Sequence, residues 1–174
     1  ARLHLAHTQD TTDAAAEAAF FTYLDEIRPP AAAAEQVLKL KLLASGLSLD
    51  GLAEMRAQGR AVAAESAIEA LSCHVAERLR TMDVGCRVGM DELAAILPEV
   101  EGLDALRIGE RLRAKLGTVP GLDGAFTLSV GVASFPSQAG RPETLDQSAR
   151  SALEWARAHG GDRTFLFHAD TATI

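Results

Sequence analysis

The stretch RTMDVGCRVGMDEL, Arg80 to Leu93, decides how the chain folds. It links two short apolar runs, Val84 to Val88 and Leu93 to Leu97, whose residues suit a pleated surface. Gly89 lies between them and supplies the backbone freedom that a tight turn needs. The spacing predicts a β-hairpin with Asp91 and Glu92 at its tip.

Upstream, Ile68, Leu71, Val75 and Leu79 recur at helical spacing and predict a long helix over 62–80. A polar turn is expected at Ser45 to Asp50. Before it, Leu38, Leu40 and Leu42 alternate with Lys39 and Lys41, so Val37 to Ala44 reads as the first strand. The Ala-rich run Asp13 to Ile27 reads as a helix capped by Thr12 or Asp13, stopping before Pro29-Pro30, with Phe20, Phe21 and Leu24 on its buried side.

Downstream, Pro98 closes the hairpin and a helix is expected over 103–116, with Leu106, Leu112 and Leu116 inward. Arg107, Arg111 and Arg113 stay solvated or meet an anion. Phe126 to Phe135 alternates large and small residues, which makes a strand covered on both sides if the small ones lie close under a helix. A last helix over 144–158 ends at Gly160-Gly161, ahead of a strand over 164–167. This order is that of an α/β fold, a mixed β-sheet sandwiched by helices with the hairpin at its centre. The 174 residues suit a single domain, with residues 1–12 as a linker from a longer parent protein, an expectation that the opening at Ala1 reinforces.

The net charge of −7 opposes general affinity for nucleic acid, so an anionic ligand must be held locally. No apolar run approaches the ~20 residues that cross a bilayer, so direct membrane insertion is not expected. Cys73 and Cys86 make neither a disulfide framework nor a metal motif and read as small buried apolar residues in a reducing, cytoplasmic setting, with tethering to a larger membrane-associated or multidomain protein left open. His4, His7, His74, His159 and His168 share no paired ligand spacing. A GxSxG elbow and a GxxxxGK[ST] loop are both missing, and Trp155 reads as packing. No metal and no cofactor is expected.

At the hairpin, RVGMDELAAILP resembles the signature of the GGDEF family, the diguanylate cyclases that condense two GTP molecules into cyclic di-GMP. FTLSVGVASFP resembles that family's following strand and ALEWARAHGGDR its C-terminal helix and turn, so the likeness covers most of the chain. It implies the family's fold and a signature at Gly89, Met90, Asp91, Glu92 and Leu93. The departures imply lost catalysis. Met90 stands where the second glycine lets phosphate approach the backbone, and Ser48 stands where the family has its first metal-binding Asp, in the run Ser48-Leu49-Asp50-Gly51-Leu52-Ala53. The guanine-reading Asn falls on Arg56 and its partner Asp on Glu65. The phosphate-binding Lys falls on Arg157, whereas a family Asp falls on Arg150 and a Tyr on Glu154. The family's N-terminal motif is reduced to DTTDAAAEA, Asp10 to Ala18.

The family's RxxD motif survives as Arg80-Thr81-Met82-Asp83, ending the same distance before Gly89. A guanidinium can donate a fork of hydrogen bonds to guanine or phosphate, and a carboxylate accepts from guanine N1 and N2. Arg111 falls where a second arginine often helps. The resemblance therefore implies a catalytically inactive receptor for cyclic di-GMP in bacterial signalling, with Arg80, Asp83 and Arg111 at its site. The ligand could crosslink a homodimer or dock a partner signalling domain. Two alternatives stay open: a nucleotide-independent interaction or dimerisation domain, and residual GTP binding or weak cyclisation at Asp91 and Glu92.

Overall fold

The computed structural model of the chain describes residues 2–3, 42–122, 126–135 and 144–168. The expected helix over 13–27, the Lys39/Lys41 alternation and the Asp10 to Ala18 motif lie outside them. In chain order the elements are β1 (Arg2–Leu3), β2 (Leu42–Asp50), α1 (Leu52–Ala57), α2 (Ala61–Ala76), β3 (Val84–Arg87) and β4 (Glu92–Ile96). Then come α3 (Gly102–Ala114), a short 3-10 turn (Leu116–Thr118), β5 (Thr127–Phe135), α4 (Leu145–Ala158) and β6 (Thr164–Leu166). The strands form one six-stranded sheet in the order β1-β3-β4-β2-β5-β6.

The hairpin forms as its sequence predicts, with Val84 opposite Ile96 and Arg87 opposite Leu93. Strand β2 runs antiparallel to both neighbours, placing Ser48 beside Glu92 on one side and Ser129 on the other. The outer pairings, β1 with β3 and β5 with β6, are parallel, so the sheet is mixed.

Side chains alternate across each strand and the sheet therefore has two buried faces. Leu47, Leu49, Leu93, Leu128 and Val130 pack with Ile68, Leu71 and Val75 of α2 and with Leu112 of α3. On the other face Ile96 and Ala133 meet Leu145, Ala149 and Ala152 of α4. That second layer is thin. A Cβ built on Gly131 would sit 2.2 Å from the Leu153 nitrogen and 2.3 Å from the Ala149 carbonyl oxygen, and one on Gly46 would sit 3.1 Å from Leu153 Cδ2.

This close approach explains one difference from the sequence reading. Ser45 to Asp50 is strand, not a polar turn. Its Gly and Ser residues resemble a turn, yet Gly46 and Ser48 are buried on the α4 face, where larger side chains would collide. A second difference lies at α2, which ends at Ala76 instead of reaching Arg80. The Arg78 and Leu79 amides turn back to the Val75 and Ala76 carbonyls, a tightened final turn that frees Arg80 from the helix. Cys86 is buried on β3 as expected, but Cys73 is exposed, because it lies off the apolar stripe of α2. No helix among the described residues is long and apolar enough to cross a membrane.

Gly131→Ala should destabilise the domain by about 1–3 kcal/mol, towards the upper end because the new methyl meets backbone that cannot rotate away. Urea denaturation would show this as a lower midpoint at unchanged slope.

Candidate functional site

The tightened end of α2 brings Arg80 over Asp83. The Asp83 carboxylate accepts from the Arg80 backbone amide at 2.7 Å, from Nη2 at 2.8 Å and from Nε at 3.1 and 3.2 Å. Arg80 Nη2 also donates to the Pro98 carbonyl at 2.8 Å, tying this turn to the end of the hairpin. The two side chains are unequal: Asp83 is 4% exposed, whereas Arg80 is 48% exposed. Asp83 is the buried anchor and Arg80 the cation it presents. Hydrogen bonding to Asp83 raises the Arg80 pKa further, so its charge is permanent.

Arg111 lies exposed in the last turn of α3. The placement of that turn is fixed by the next residue, because buried His74 of α2 directs Nε2 at the Leu112 carbonyl, 3.3 Å away. Arg107 and Arg113, read from sequence as solvated or anion-bound, meet carboxylates of their own chain. Arg107 pairs with Asp104, and Arg113 with Glu110 and Asp162.

At the hairpin tip four charged side chains interlock. Arg56 of α1 donates from Nε to Asp91 Oδ1 at 2.8 Å, and from Nη2 to the Met90 carbonyl at 3.2 Å and to Glu65 Oε2 at 3.4 Å. Arg87 of β3 donates to both carboxylate oxygens of Glu65. It also reaches the Met90 carbonyl at 2.7 Å and the Gly89 carbonyl at 3.0 Å. The Arg87 fork holds the Glu65 carboxyl below the usual carboxylate range, against an opposing effect of burial and with help from Arg56. Glu65 thus stays ionised.

Glu92, the other signature acid, turns to α4. It pairs with Arg157 at 3.2 Å and with Arg150 at 3.7 Å, and Arg150 also holds Asp146. Asp50 ends β2 as a structural pin, accepting from Thr127 Oγ1, Ser129 Oγ and the Asp162 amide at 2.7, 2.8 and 3.1 Å. Trp155 is packing, as the sequence suggests, and stacks on His159 and Phe165 with centroids 3.9 Å apart in each pair.

The residues singled out in the sequence therefore fall into separate places. Arg80 and Asp83 bond directly, and Asp91 and Glu92 answer to different arginines. Met90, expected to intrude on the phosphate position, is 64% exposed. Arg87, within the signature stretch, carries no signal of its role in the sequence, because its contacts join residues 22 apart, beyond any local pattern. The divalent cation that the resemblance implies at the tip does not fit the donors present. Ser48 Oγ is buried without a hydrogen-bond partner, Asp91 is engaged by Arg56, and a hydroxyl is a poor ligand for a hard cation.

The family profile described as "Diguanylate cyclase, GGDEF domain" matches residues 59–163. Diguanylate cyclase DosC of Escherichia coli K12 is 36% identical over 100 residues, which cover 53% of this chain and 21% of that protein. Response regulator PleD of Caulobacter vibrioides is 29% identical over 102 residues, 55% of this chain and 22% of PleD. The matched region thus spans about a fifth of these relatives' length. Among solved structures, the GGDEF domain of DgcB from Caulobacter crescentus in complex with c-di-GMP superposes with a TM-score of 0.71 at 18% identity, covering 86% of this chain and 89% of that one.

Burial lowers the His74 pKa below its ordinary 6.5, aided by Arg78 and Lys115 and opposed by the Leu112 carbonyl and Glu77. The unfolded chain then binds a proton that the folded one refuses. His74 therefore contributes full stability above about pH 6.5, and this is lost as pH falls below that value. Between about pH 7 and pH 5 the melting temperature should drop, and less steeply in His74→Gln, as differential scanning calorimetry of both proteins would show.

Proposed function

Because the chain belongs to the GGDEF domain family of diguanylate cyclases, we propose that it serves cyclic di-GMP signalling as a receptor that does not cyclise GTP. The observation that carries the receptor reading is the Arg80–Asp83 fork: a half-exposed guanidinium seated on a buried carboxylate and steadied by the Pro98 carbonyl. On a chain of net charge −7, a cyclic dinucleotide with two phosphates needs such a fixed local cation. Arg111, exposed on the neighbouring helix, adds a second.

Asp83 supports guanine recognition by exchange. While Arg80 occupies the carboxylate, its lone pairs are used within the protein. When a phosphate or a guanine acceptor edge draws Arg80 outward, the guanine N1–H and N2–H donors can take its place on Asp83. The buried charge is then never left unpaired, which would otherwise cost several kcal/mol.

The second half of the proposal, absent cyclisation, is supported by Ser48 in place of a metal carboxylate and by the bond between Asp91 and Arg56. Joining two nucleotides requires positioned metal and phosphate together, and misplacing either forfeits orders of magnitude in rate. The DgcB GGDEF domain was solved with c-di-GMP bound, which agrees with ligand recognition on this fold without assigning the site in this chain.

Isothermal titration of the purified chain with cyclic di-GMP should give saturable heat. Arg80→Ala should weaken binding by about tenfold or more, with Arg80→Lys intermediate because it keeps the charge and loses the fork. An absence of heat, or equal binding by Arg80→Ala, would sink the receptor reading, and an oligomer insensitive to the nucleotide would then favour a protein-interaction domain. Incubation with GTP and Mg2+ should yield no cyclic di-GMP; product formation would overturn the second half.

A further inference from the structure

Met90 and Ser48 are the departures that stand out in the sequence, but the hairpin tip is closed by a different residue. We infer that Arg56 is an internal seal: its guanidinium takes the counter-charge position at Asp91 and bars both nucleotide phosphate and divalent cation from the cleft between α1, α2 and the hairpin. This inference rests on the reading above that the domain does not cyclise GTP, and it names what enforces that state.

Three observations carry it. First, Arg56 reaches across 34 and 35 residues of sequence to bond the backbone of Met90 and the side chain of Asp91, so it ties the tip to α1. Its side chain is 17% exposed and that of Asp91 23%, so the pair is sheltered from screening, unlike a surface ion pair worth little. Second, the cluster is balanced: Arg56 and Arg87 face Glu65 and Asp91, two charges of each sign. An incoming anion meets arginines already satisfied by carboxylates and by the Gly89 and Met90 carbonyls. An incoming cation meets carboxylates already satisfied by arginines. Either guest must break partly buried charge pairs before making its own, and breaking such a pair by removing one partner is strongly unfavourable.

Third, the rival explanations are weaker in space than in sequence. Met90 is largely exposed, and its contacts at the tip run through its backbone carbonyl, which accepts from Arg56 and Arg87. Ser48 is small and buried, and its missing carboxylate removes a ligand without filling any space. Of the three departures, Arg56 is the one whose side chain bonds across the tip to a signature acid. Arg87 could not seal alone, because its contacts with Glu65 and the two carbonyls leave Asp91 to Arg56.

The test is fluorescence titration of the whole chain with the N-methylanthraniloyl derivative of GTP and Mg2+. Wild type and Met90→Gly should bind feebly, whereas Arg56→Asn should bind about tenfold more tightly or better. Arg56→Lys, which keeps a cation beside Asp91, should stay close to wild type. Amide hydrogen exchange over residues 89–91 should quicken in Arg56→Asn and much less in Arg56→Lys. If Arg56→Asn is poorly folded by its thermal transition, Arg56→Gln, with a longer apolar stem, takes its place. An Asn or Gln variant that binds no more tightly than wild type, or a Met90→Gly protein that opens the cleft with Arg56 present, would overturn the seal. Those outcomes leave the Arg80 titration untouched, while product formation by wild type would defeat the non-cyclising reading itself.

Discussion

The constraint on which the sheet depends is the contact of α4 with β5 at Gly131. Helix backbone lies so near the strand that a single added carbon would overlap the Leu153 nitrogen and the Ala149 carbonyl. The strip of that face nearest this contact is consequently small: Gly46, Ser48, Ser129, Gly131 and Ala133 form a shallow floor under α4, and Ile96, Phe165 and Phe167 supply the layer's larger side chains. The bulk of the apolar burial is then left to the opposite face, where leucines and valines meet α2 and α3. A thin layer beside a thick one gives each face a distinct job: one sets distance and the other supplies most of the hydrophobic stabilisation.

This asymmetry explains what the sequence could and could not convey. The hairpin, α3, β5 and α4 were legible because period and punctuation agreed, as with the alternation of Phe126 to Phe135 and the glycines after Ala158. The second half of β2 was not, since Gly46 and Ser48 carry the composition of a turn while serving as strand residues beneath a helix. The end of α2 is hidden because Leu79 continues the apolar stripe after the helix has stopped; it still packs on the core, but from a tightened turn. Local pattern reports which residues wish to be buried, not which backbone carries them there.

The candidate sites divide along the same line. Arg80 and Asp83 were marked by the family resemblance of their motif, whereas their direct bond, the depth of Asp83 and the contact with Pro98 depend on how α2 ends. Arg56 was visible as an unusual residue at its position, but its bonds reach the hairpin, and no local rule connects them. In both places the chain satisfies its own charges, and what differs is access. The Arg80 guanidinium faces water, while that of Arg56 is enclosed.

The neighbouring acids Asp91 and Glu92 serve different parts of the fold. One is held by α1 through Arg56, and the other by α4 through Arg157 and Arg150. Asp91 lies in the turn just before β4 and Glu92 is its first residue, and their arginine partners come from different helices. A pair that looks in one dimension like a ready-made chelate is, in three, two single charges serving different layers. A small ion shared between them would have to displace arginines of two different helices.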